Sequence, residues 1–328
     1  MVLILSKNHM RTLLSMTDCI TAVESAFREF GLGTVAMPTR VSLTLGDKEG
    51  WLGLMPAYLA QTKSLSTKIV SVYANNSRSH GLPNVLATVV LNDPETGRVT
   101  AIMEGSYLTA MRTGAVSGVA TKYLSRRDSR VLGVFGAGVQ AKKQVEAICE
   151  VRNIRTVTVY DKDKSRAKEF VDSSESPNLK MSVASNPEEV VRASDIIATA
   201  TTSTTPVFNG HDVRPGTHIN AIGAFTPTTR ELDDETISAS KIVVDSIDAA
   251  LAEAGDIILP IGSGVIRRED IWAELGEIIT GTKASRTSDV EKTIFKSVGL
   301  GIQDAALAKL AFDKAVAMGL GTTFDFEN

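Results

Sequence analysis

Cysteine, aromatic side chains and long apolar runs are all scarce in this chain of 328 residues. Two cysteines, Cys19 and Cys149, are too few for a disulfide framework or a cysteine-based zinc site, and they are typical of a reducing compartment. Aromatic residues make up 5% of the chain, which argues against stacking platforms for single-stranded nucleic acid. No apolar run approaches the roughly 20 residues that span a bilayer, and Lys7, His9 and Arg11 interrupt the apolar start. We therefore expect a cytoplasmic protein without a membrane partner.

Charge of either sign is also not in excess. Lys and Arg number 35 and Asp and Glu number 38, so the formal net charge is −3. This balance lacks the basic footprint that nucleic acids and anionic membranes require, and we expect no nucleic-acid partner. The four histidines show no metal-ligand spacing such as HExxH, so we also expect no metal site. A length of 328 residues predicts two domains.

The first third of the chain combines helices with a sheet. Residues 17–30 show apolar positions at helical spacing, with Thr17 as the expected N-cap. Between residues 40 and 103, short runs rich in Val, Leu and Thr alternate with turn signals, which predicts a mostly antiparallel sheet. The segment 93–97, Asp-Pro-Glu-Thr-Gly, is typical of a hairpin connection. Helices are predicted at 106–124 and, near the end of the chain, at 302–318.

After Arg130, apolar strands alternate with helices. This rhythm predicts a parallel sheet covered on both faces, an α/β fold of the doubly wound Rossmann type. The predicted strands are 131–135, 156–160, 180–184, 195–200, 217–222, 241–245 and 292–298. The predicted helices are 139–151, 164–172, 187–193, 232–239 and 247–254. The acidic run 231–235 is expected to mark a helix N-terminus.

A glycine-rich turn follows the first of these strands and opens the first of these helices. Gly136 permits a tight turn there, Gly138 lets backbone amides approach a pyrophosphate, and the small Ala141 allows close helix–strand packing. Asp161 ends the next strand, where a carboxylate accepts hydrogen bonds from a ribose diol. The alternative is a glycine turn that binds nothing, but strand, glycines, helix and Asp161 together favour dinucleotide binding.

Asp161 also bears on the choice of cofactor. A carboxylate at this position repels the 2′-phosphate of NADP, so we expect NAD(H) to be preferred. Lys162, Lys164 and Arg166 follow directly and make NADP(H) possible. These basic residues are equally consistent with a solvated start of a helix.

Several segments, in this order along the chain, resemble the ornithine cyclodeaminase/mu-crystallin family. The segments are 38–40 (PTR), 66–70 (STKIV), 110–115 (AMRTGA), 136–141 (GAGVQA), 216–223 (GTHINAIG) and 296–304 (KSVGLGIQD). The resemblance implies a discontinuous α+β domain for substrate binding and dimerisation, formed by residues 1–125 and 300–328, around a Rossmann domain at 126–299. It also implies a homodimer that interconverts amino acids with imino or keto acids by means of NAD(P).

The resemblance further implies roles for individual residues. Arg40 and Arg112 match carboxylate-binding arginines, and a planar guanidinium suits such a clamp. Lys68 matches an active-site lysine that exchanges a proton with the substrate nitrogen. Taken singly, an arginine is also consistent with a surface ion pair, and Lys68 with a strand lysine that reaches solvent. The expected cofactor contacts are Thr113, Gly136, Gly138, Val139, Gln140, Asp161, Thr201, Thr202, Ala221, Ile222, Gly223, Val298 and Gly299.

One position departs from the family pattern. Ornithine cyclodeaminases carry an aspartate shortly after the segment that matches 216–223, whereas Phe225 stands there in this chain. A phenyl ring cannot act as a base or pair with an ammonium group, which argues against cyclodeamination of ornithine. Among the reactions that the resemblance implies, we expect NAD(P)H-dependent reduction of a cyclic imino acid such as Δ1-pyrroline-2-carboxylate to the L-amino acid. The alternatives are an L-alanine or other amino acid dehydrogenase, an ornithine cyclodeaminase, and a non-catalytic small-molecule binder like the crystallin branch.

Overall fold

The computed structural model describes residues 1–48, 50–174 and 179–326. It divides into two compact units: Met1–Arg112 together with the chain from Leu300 onward, and Thr113–Gly299. The first boundary falls inside the helix Gly105–Leu124, whereas the sequence placed it after that helix. The functions assigned to the two domains stay predictions.

Within the described ranges, strands and α-helices account for most of the chain. The strands are β1 Val2–Leu5, β2 Val35–Ala36, β3 Val41–Leu45, β4 Gly50–Leu59, β5 Ser64–Tyr73, β6 Val85–Asn92, β7 Val99–Glu104, β8 Val131–Phe135, β9 Thr156–Tyr160, β10 Lys180–Val183, β11 Ile196–Thr199, β12 His218–Ala221, β13 Lys241–Val244, β14 Ile271–Glu274, β15 Thr293–Lys296 and β16 Thr322–Phe324. The helices are α1 Lys7–Leu13, α2 Met16–Gly31, α3 Asn76–Ser79, α4 Gly105–Leu124, α5 Val139–Val151, α6 Lys164–Asp172, α7 Pro187–Ala193, α8 Asp234–Ser238, α9 Ile247–Glu253, α10 Gly255–Gly262, α11 Leu275–Thr280 and α12 Gly301–Met318.

The first unit contains a mixed sheet with helices packed on one face. Its strand order is β16-β1-β7-β6-β5-β4-β2, and β3 also pairs with β4. The β1–β7 pair is parallel and the other pairs are antiparallel, as the sequence predicts for the region 40–103. The helix α12 packs against β4, β5 and β6 and against α1 and α2. This packing brings residues near the end of the chain onto the centre of the sheet.

Helix α2 begins earlier than predicted. Its N-cap is Ser15, whose hydroxyl oxygen accepts a hydrogen bond from the Asp18 amide at 3.2 Å, so the assignment of the cap to Thr17 was wrong. A serine at this position satisfies an amide that the first turn leaves without a helical partner. Cys19, Val23 and Phe27 lie at helical spacing on the buried face of α2.

The second unit confirms the doubly wound parallel fold. Its eight strands are all parallel, in the order β10-β9-β8-β11-β12-β15-β13-β14. Side chains alternate between two cores: Leu132 and Val134 pack with Ile148 of α5, whereas Phe135 packs with residues such as Ile197 and Ile257 on the opposite face. The chain order reverses between β8 and β11, the position at which open α/β sheets bind ligands.

Three elements of this unit were not predicted: β14, α10 and α11. In addition, no helix among the described residues is long and apolar enough to cross a bilayer.

Candidate active site

Lys68 lies on the buried face of β5. Its side chain is 1% exposed, and the residues opposite it on the neighbouring strands are Met55 and Val89, both buried and apolar. A buried ammonium group requires a close partner, because desolvation of an isolated charge is costly. That partner is Asp304 of α12, whose Oδ2 lies 2.7 Å from Lys68 Nζ. Burial rules out the reading of Lys68 as a strand lysine that reaches solvent.

Arg112 reaches the same carboxylate from α4. Its Nε lies 3.2 Å from Asp304 Oδ1, and its Nη1 donates a hydrogen bond to Gln303 Oε1 at 2.8 Å. The Arg112 residue is 7% exposed, so this is a buried interaction and not a surface ion pair. Lys68, Arg112 and Asp304 thus form one cluster, which we call the Lys68 cluster.

The electrostatics of this cluster alter the acidity of Lys68. Burial lowers the pKa of Lys68 from 10.5 to about 7, and the positive charge of Arg112 adds to this effect. Asp304 acts in the opposite direction, and Arg40 lowers the pKa further. A lysine with a pKa near neutrality both donates and accepts protons readily under physiological conditions, which an ordinary lysine does not.

Arg40 is half-buried just before β3. Its guanidinium carbon lies 6.0 Å from the centre of the Trp51 ring, within the range of a cation–π contact. Because its charge contributes to the lowered pKa of Lys68, the structure places it within electrostatic reach of the cluster. The three basic residues singled out from the sequence therefore belong to one electrostatic environment in the first unit.

Asp304 and Gln303 were not recognised as site residues from the sequence. Both are fully buried in the first turn of α12, which is otherwise lined by apolar and small residues up to Ala308. The sequence did offer one signal: the polar Gln303 and Asp304 stand among apolar and small residues in the first two turns of this helix. Without the fold, nothing linked them to β5.

In the second unit, the glycine turn after β8 has the geometry of a phosphate-binding loop. Gly136 has a φ of +96°, and a Cβ at this position would lie 2.6 Å from the carbonyl oxygen of Ala200, so only glycine fits. Gly138 is the N-cap of α5, and the space around its Cα is open. Open space at a helix N-terminus with free amides fits the pyrophosphate of a dinucleotide. Val139 is 70% exposed at the first position of this helix.

Asp161 directly contacts the glycine turn. Its Oδ2 accepts a hydrogen bond from the Ala137 amide at 2.9 Å, and its Oδ1 accepts one from the Asp163 amide at 2.9 Å. The carboxylate is therefore held in a fixed orientation beside the loop. Lys162 and Lys164, which follow it, are exposed.

The remaining predicted cofactor residues lie around the same carboxyl edge of the parallel sheet. They follow β11 (Thr201 and Thr202), end or follow β12 (Ala221, Ile222 and Gly223) or follow β15 (Val298 and Gly299). Thr113 lies in α4, where its carbonyl oxygen accepts a hydrogen bond from Gln144 Nε2 at 3.1 Å. The Gln140 Oε1 atom is buried without a hydrogen-bond partner among the described residues, which leaves an acceptor at the start of α5.

Two buried carboxylates hold these strand ends, and sequence reasoning assigned neither of them to the site. Asp245 Oδ2 accepts hydrogen bonds from the amides of Val298 and Gly299, both at 2.8 Å. Glu231 is fully buried and binds the segments after β11 and β12. The expectation that the acidic run marks a helix N-terminus is confirmed, since Asp233 is the N-cap of α8 and Asp234 and Glu235 lie in its first turn. The prediction did not include the contacts that Glu231 makes with the strand ends.

Other polar residues contribute less to a site. His218 is buried, its Nδ1 lies 2.9 Å from Thr293 Oγ1, and burial lowers its pKa to about 3, so it stays neutral. Phe225 is 43% exposed. Within the residues that the structure describes, no three His, Cys, Asp or Glu side chains are arranged to hold a metal ion.

Comparisons with known proteins agree with this architecture. Residues 2–319 match the ornithine cyclodeaminase/mu-crystallin family. The chain is 40% identical to a Δ1-pyrroline-2-carboxylate reductase of Bacillus cereus over 327 residues, 99% of this chain and 100% of the relative. The structure of a Thermococcus litoralis Δ1-pyrroline-2-carboxylate reductase in complex with NADH and L-proline is 46% identical, with a TM-score of 0.96, over 98% of this chain and all of that one. An archaeal alanine dehydrogenase dimer with bound NAD is 42% identical, with a TM-score of 0.94 and 99% coverage of both chains. The chain belongs to the ornithine cyclodeaminase/mu-crystallin family.

Proposed function

We propose that this protein is an oxidoreductase that uses a reduced nicotinamide cofactor to convert a cyclic imino acid, Δ1-pyrroline-2-carboxylate or a similar ketimine, to the L-amino acid. The observation that carries the proposal is the buried Lys68, which lies 2.7 Å from Asp304 and has a pKa of about 7. Relatives of similar length that are named Δ1-pyrroline-2-carboxylate reductases support the choice of substrate.

The chemistry requires a carboxylate anchor and a proton donor. Arg112 and Arg40 bind the substrate carboxylate, and the planar guanidinium of Arg112 offers two parallel donors. Lys68 in its ammonium form transfers a proton to the imine nitrogen. When bound, the nicotinamide supplies the hydride that reduces the C=N carbon. One hydride and one proton add across the C=N bond, and neutral Lys68 then regains a proton from water.

Asp304 keeps the pKa of Lys68 near neutrality. A lysine desolvated among apolar side chains and next to Arg112 would lose its proton well below neutral pH, but the Asp304 carboxylate opposes this effect. We therefore assign Asp304 the role of a positioning residue that sets both the location and the acidity of Lys68.

For the cofactor, we propose NAD(H) in preference to NADP(H). The Asp161 carboxylate is fixed against the glycine turn by the Ala137 amide, where it hydrogen-bonds a ribose diol and repels a 2′-phosphate. The exposed Lys162 and Lys164 reduce that repulsion without removing it. Gly136, Gly138, Val139, Gln140, Thr113 and the strand-end residues named above are the proposed cofactor contacts.

We further propose that the protein is a homodimer. The sheet of the first unit exposes an apolar surface in which Val41, Leu54 and Ile69 lie side by side on three adjacent strands, at 63%, 37% and 40% exposure. Leu43 and Leu86 extend this surface and are also exposed. Contiguous apolar patches of this kind mark interaction sites. A second copy is the proposed occupant, and the dimeric alanine dehydrogenase relative supports that choice.

Light scattering tests the dimer. Wild type should show twice the chain mass of 35.0 kDa, and Ile69→Asp should show the monomer mass. Val316→Asp, which places the same charge at an exposed apolar position on α12, is the matched control and should leave the dimer intact. A dimer that persists in Ile69→Asp would place the interface elsewhere.

One alternative activity has specific support, namely the reductive amination of pyruvate to L-alanine. The alanine dehydrogenase relative is 42% identical over nearly the whole chain, and the Lys68 cluster also suits that reaction. Phe225 argues against an ornithine cyclodeaminase, since it supplies neither a base nor a partner for a second amine. A binder without turnover is disfavoured because Arg40, Lys68 and Arg112 are all present.

A substrate panel tests the proposal. Oxidation of NADH and of NADPH is followed with Δ1-pyrroline-2-carboxylate, with its six-membered homologue, and with pyruvate plus ammonia. With L-ornithine and NAD+, the release of ammonia is followed instead, because cyclodeamination causes no net change in NADH. We expect the highest kcat/KM with a cyclic imine and NADH.

Lys68→Ala should lose at least about 100-fold in kcat, the typical contribution of a general acid. Lys309→Ala, which removes a surface pair with Asp313, is the control and should behave like wild type. Full turnover in Lys68→Ala, or turnover confined to pyruvate, would contradict the proposal.

A further inference from the structure

Glu231 is a buried carboxylate that binds two separate strand ends. It is 0% exposed and lies between β12 and α8. Its Oε1 accepts hydrogen bonds from the amide and the hydroxyl of Thr201, at 2.7 and 2.8 Å. Its Oε2 accepts hydrogen bonds from the Thr199 hydroxyl and the Gly223 amide, both at 2.7 Å. Each oxygen is therefore fully engaged with backbone or hydroxyl donors.

A second buried pair supports the same carboxylate. Asp256 Oδ1 accepts hydrogen bonds from the amides of Glu231 and Leu232, at 2.7 and 2.9 Å. Its Oδ2 lies 2.8 Å from Lys296 Nζ, which also donates to the Ala224 carbonyl oxygen at 2.5 Å. Both charged side chains are fully buried. The network thus links the ends of β11, β12 and β15.

Charges in this network are energetically unfavourable, because Glu231, Asp256 and Lys296 are all fully buried and desolvated. Burial raises the pKa of Glu231, and the negative charge of Asp256 adds to that effect, whereas Lys296 and the hydrogen bonds from Thr201 and Thr199 oppose it. Apolar residues of similar volume often stabilise a core as well as buried ion pairs do. Stability alone therefore gives no reason for three ionisable groups here, whereas a precisely oriented edge of the sheet does.

The segments that Glu231 joins are in close contact. A Cβ at Gly223 would collide with both Glu231 Oε1 and the Thr201 carbonyl oxygen, so no side chain fits between the two segments. The segments are 201–202 and 222–224, at the carboxyl ends of two neighbouring parallel strands. Ligands bind at such ends in open α/β sheets.

We infer that Glu231 is a positioning residue for the nicotinamide half of the cofactor: it fixes the segments 201–202 and 222–224 relative to each other, with Asp256 and Lys296 as its support. The inference rests on the proposed placement of the cofactor along this edge. Glu231 itself has no role in proton transfer, because both of its oxygens are occupied by the segments that it holds.

The test compares two ligands that share an adenine half. NADH carries the nicotinamide and ADP-ribose lacks it, and the dissociation constants of both are measured by calorimetry. Glu231→Gln replaces one acceptor oxygen by an amide group that faces donors. We expect NADH to bind at least about tenfold more weakly to this variant and ADP-ribose to change less than about twofold, since the lost hydrogen bond displaces only the segments proposed to lie beside the nicotinamide half.

Two further variants keep the test decisive. Thr199→Val removes one donor to Glu231 and should give the same selective loss, to a smaller degree, even if Glu231→Gln does not fold. Glu188→Gln, at an exposed glutamate in the same unit, should leave both ligands unaffected. An equal loss for NADH and ADP-ribose would reduce Glu231 to a purely structural residue, and no loss for either would overturn the inference. If wild type itself binds no NADH, the proposed function fails instead.

Discussion

The pH dependence of imine reduction follows from the position of Lys68. In the proposed reaction, the ammonium form of Lys68 donates the proton, so kcat/KM falls when pH rises through the pKa of this lysine. Burial and Arg112 lower that pKa from 10.5 to about 7. Oxidation of the L-amino acid requires the neutral form of Lys68 as the proton acceptor, so the kcat/KM of this reverse reaction should rise through the same pH region.

The expected magnitude separates this lysine from an ordinary one. A group with a pKa of about 7 is about 90% protonated at pH 6 and about 10% protonated at pH 8, so the rate of reduction falls about tenfold between these values. A lysine with an unperturbed pKa of 10.5 stays about 99% protonated over the same range. The difference between the two pKa values corresponds to about 5 kcal/mol of preference for the neutral form.

The variant Asp304→Asn provides the internal control. The carboxylate 2.7 Å from Lys68 Nζ raises the pKa of the lysine. Its removal should shift the decline of kcat/KM for imine reduction to lower pH, by about 1 to 3 pH units. For both wild type and the variant, initial rates of NADH oxidation are measured with limiting imine from about pH 5 to pH 9. Calorimetry with NADH across the same pH range separates an effect on cofactor binding from the titration of Lys68.

A direct measurement removes any contribution from the titration of the substrate. Lysine labelled with ¹³C at Cε reports each ammonium group by NMR, and the Lys68 signal is the one missing in Lys68→Arg. A signal that titrates near pH 7, and at lower pH in Asp304→Asn, supports the reasoning. A Lys68 signal that titrates near 10, or a rate that is flat up to pH 9, would refute it.

Three further substitutions have distinct expected outcomes. Arg112→Lys removes the bidentate donor pair, so the KM for the imine should rise about tenfold in steady-state assays while the NADH dissociation constant stays the same. Gly136→Ala forces a Cβ towards the Ala200 carbonyl oxygen at a φ of +96°, so thermal unfolding should show a loss of about 1–3 kcal/mol and NADH should bind more weakly. Asp161→Asn removes the charge that repels a 2′-phosphate, so the ratio of kcat/KM for NADH over NADPH should fall about tenfold.

Each of these has an outcome that would count against the account. An unchanged KM in Arg112→Lys would remove the carboxylate clamp from Arg112. A Gly136→Ala variant as stable as wild type would mean that the turn tolerates a side chain. An Asp161→Asn variant with an unchanged cofactor ratio would place the selectivity for NAD(H) elsewhere.

Local patterns were sufficient to predict most of the fold. The strands from β8 to β13 and the glycine turn follow from apolar runs and Gly136–Gly138, because a buried parallel strand and a phosphate loop each have short-range signatures. Helix α10 was not predicted, since Gly255, Pro260 and Gly262 are typical of loops; its buried Ile257 and Asp256 compensate through tertiary contacts.

The site was predicted only where a motif carried it. Lys68 and Arg112 lie in recognisable segments, but Asp304 joins them from a helix far along the chain, and no spacing rule connects β5 to α12. Glu231 was interpreted as part of a helix N-terminus because it opens an acidic run that also contains Asp233, the N-cap of α8. Contacts between distant segments depend on the three-dimensional packing, which periodicity does not encode.

The most direct test of the central claim is the fate of the transferred hydride. The protein is incubated with Δ1-pyrroline-2-carboxylate and NADH that carries deuterium at C4 of the nicotinamide, and the product is analysed by chiral chromatography and mass spectrometry. Use of each deuterated C4 face in turn identifies the one that transfers. We expect L-proline with one deuterium at Cα, formed in equal amount to the NADH oxidised. Recovery of unchanged imine with both labelled cofactors, or of proline that lacks deuterium at Cα with both of them, would contradict the assignment of imine reduction to this protein.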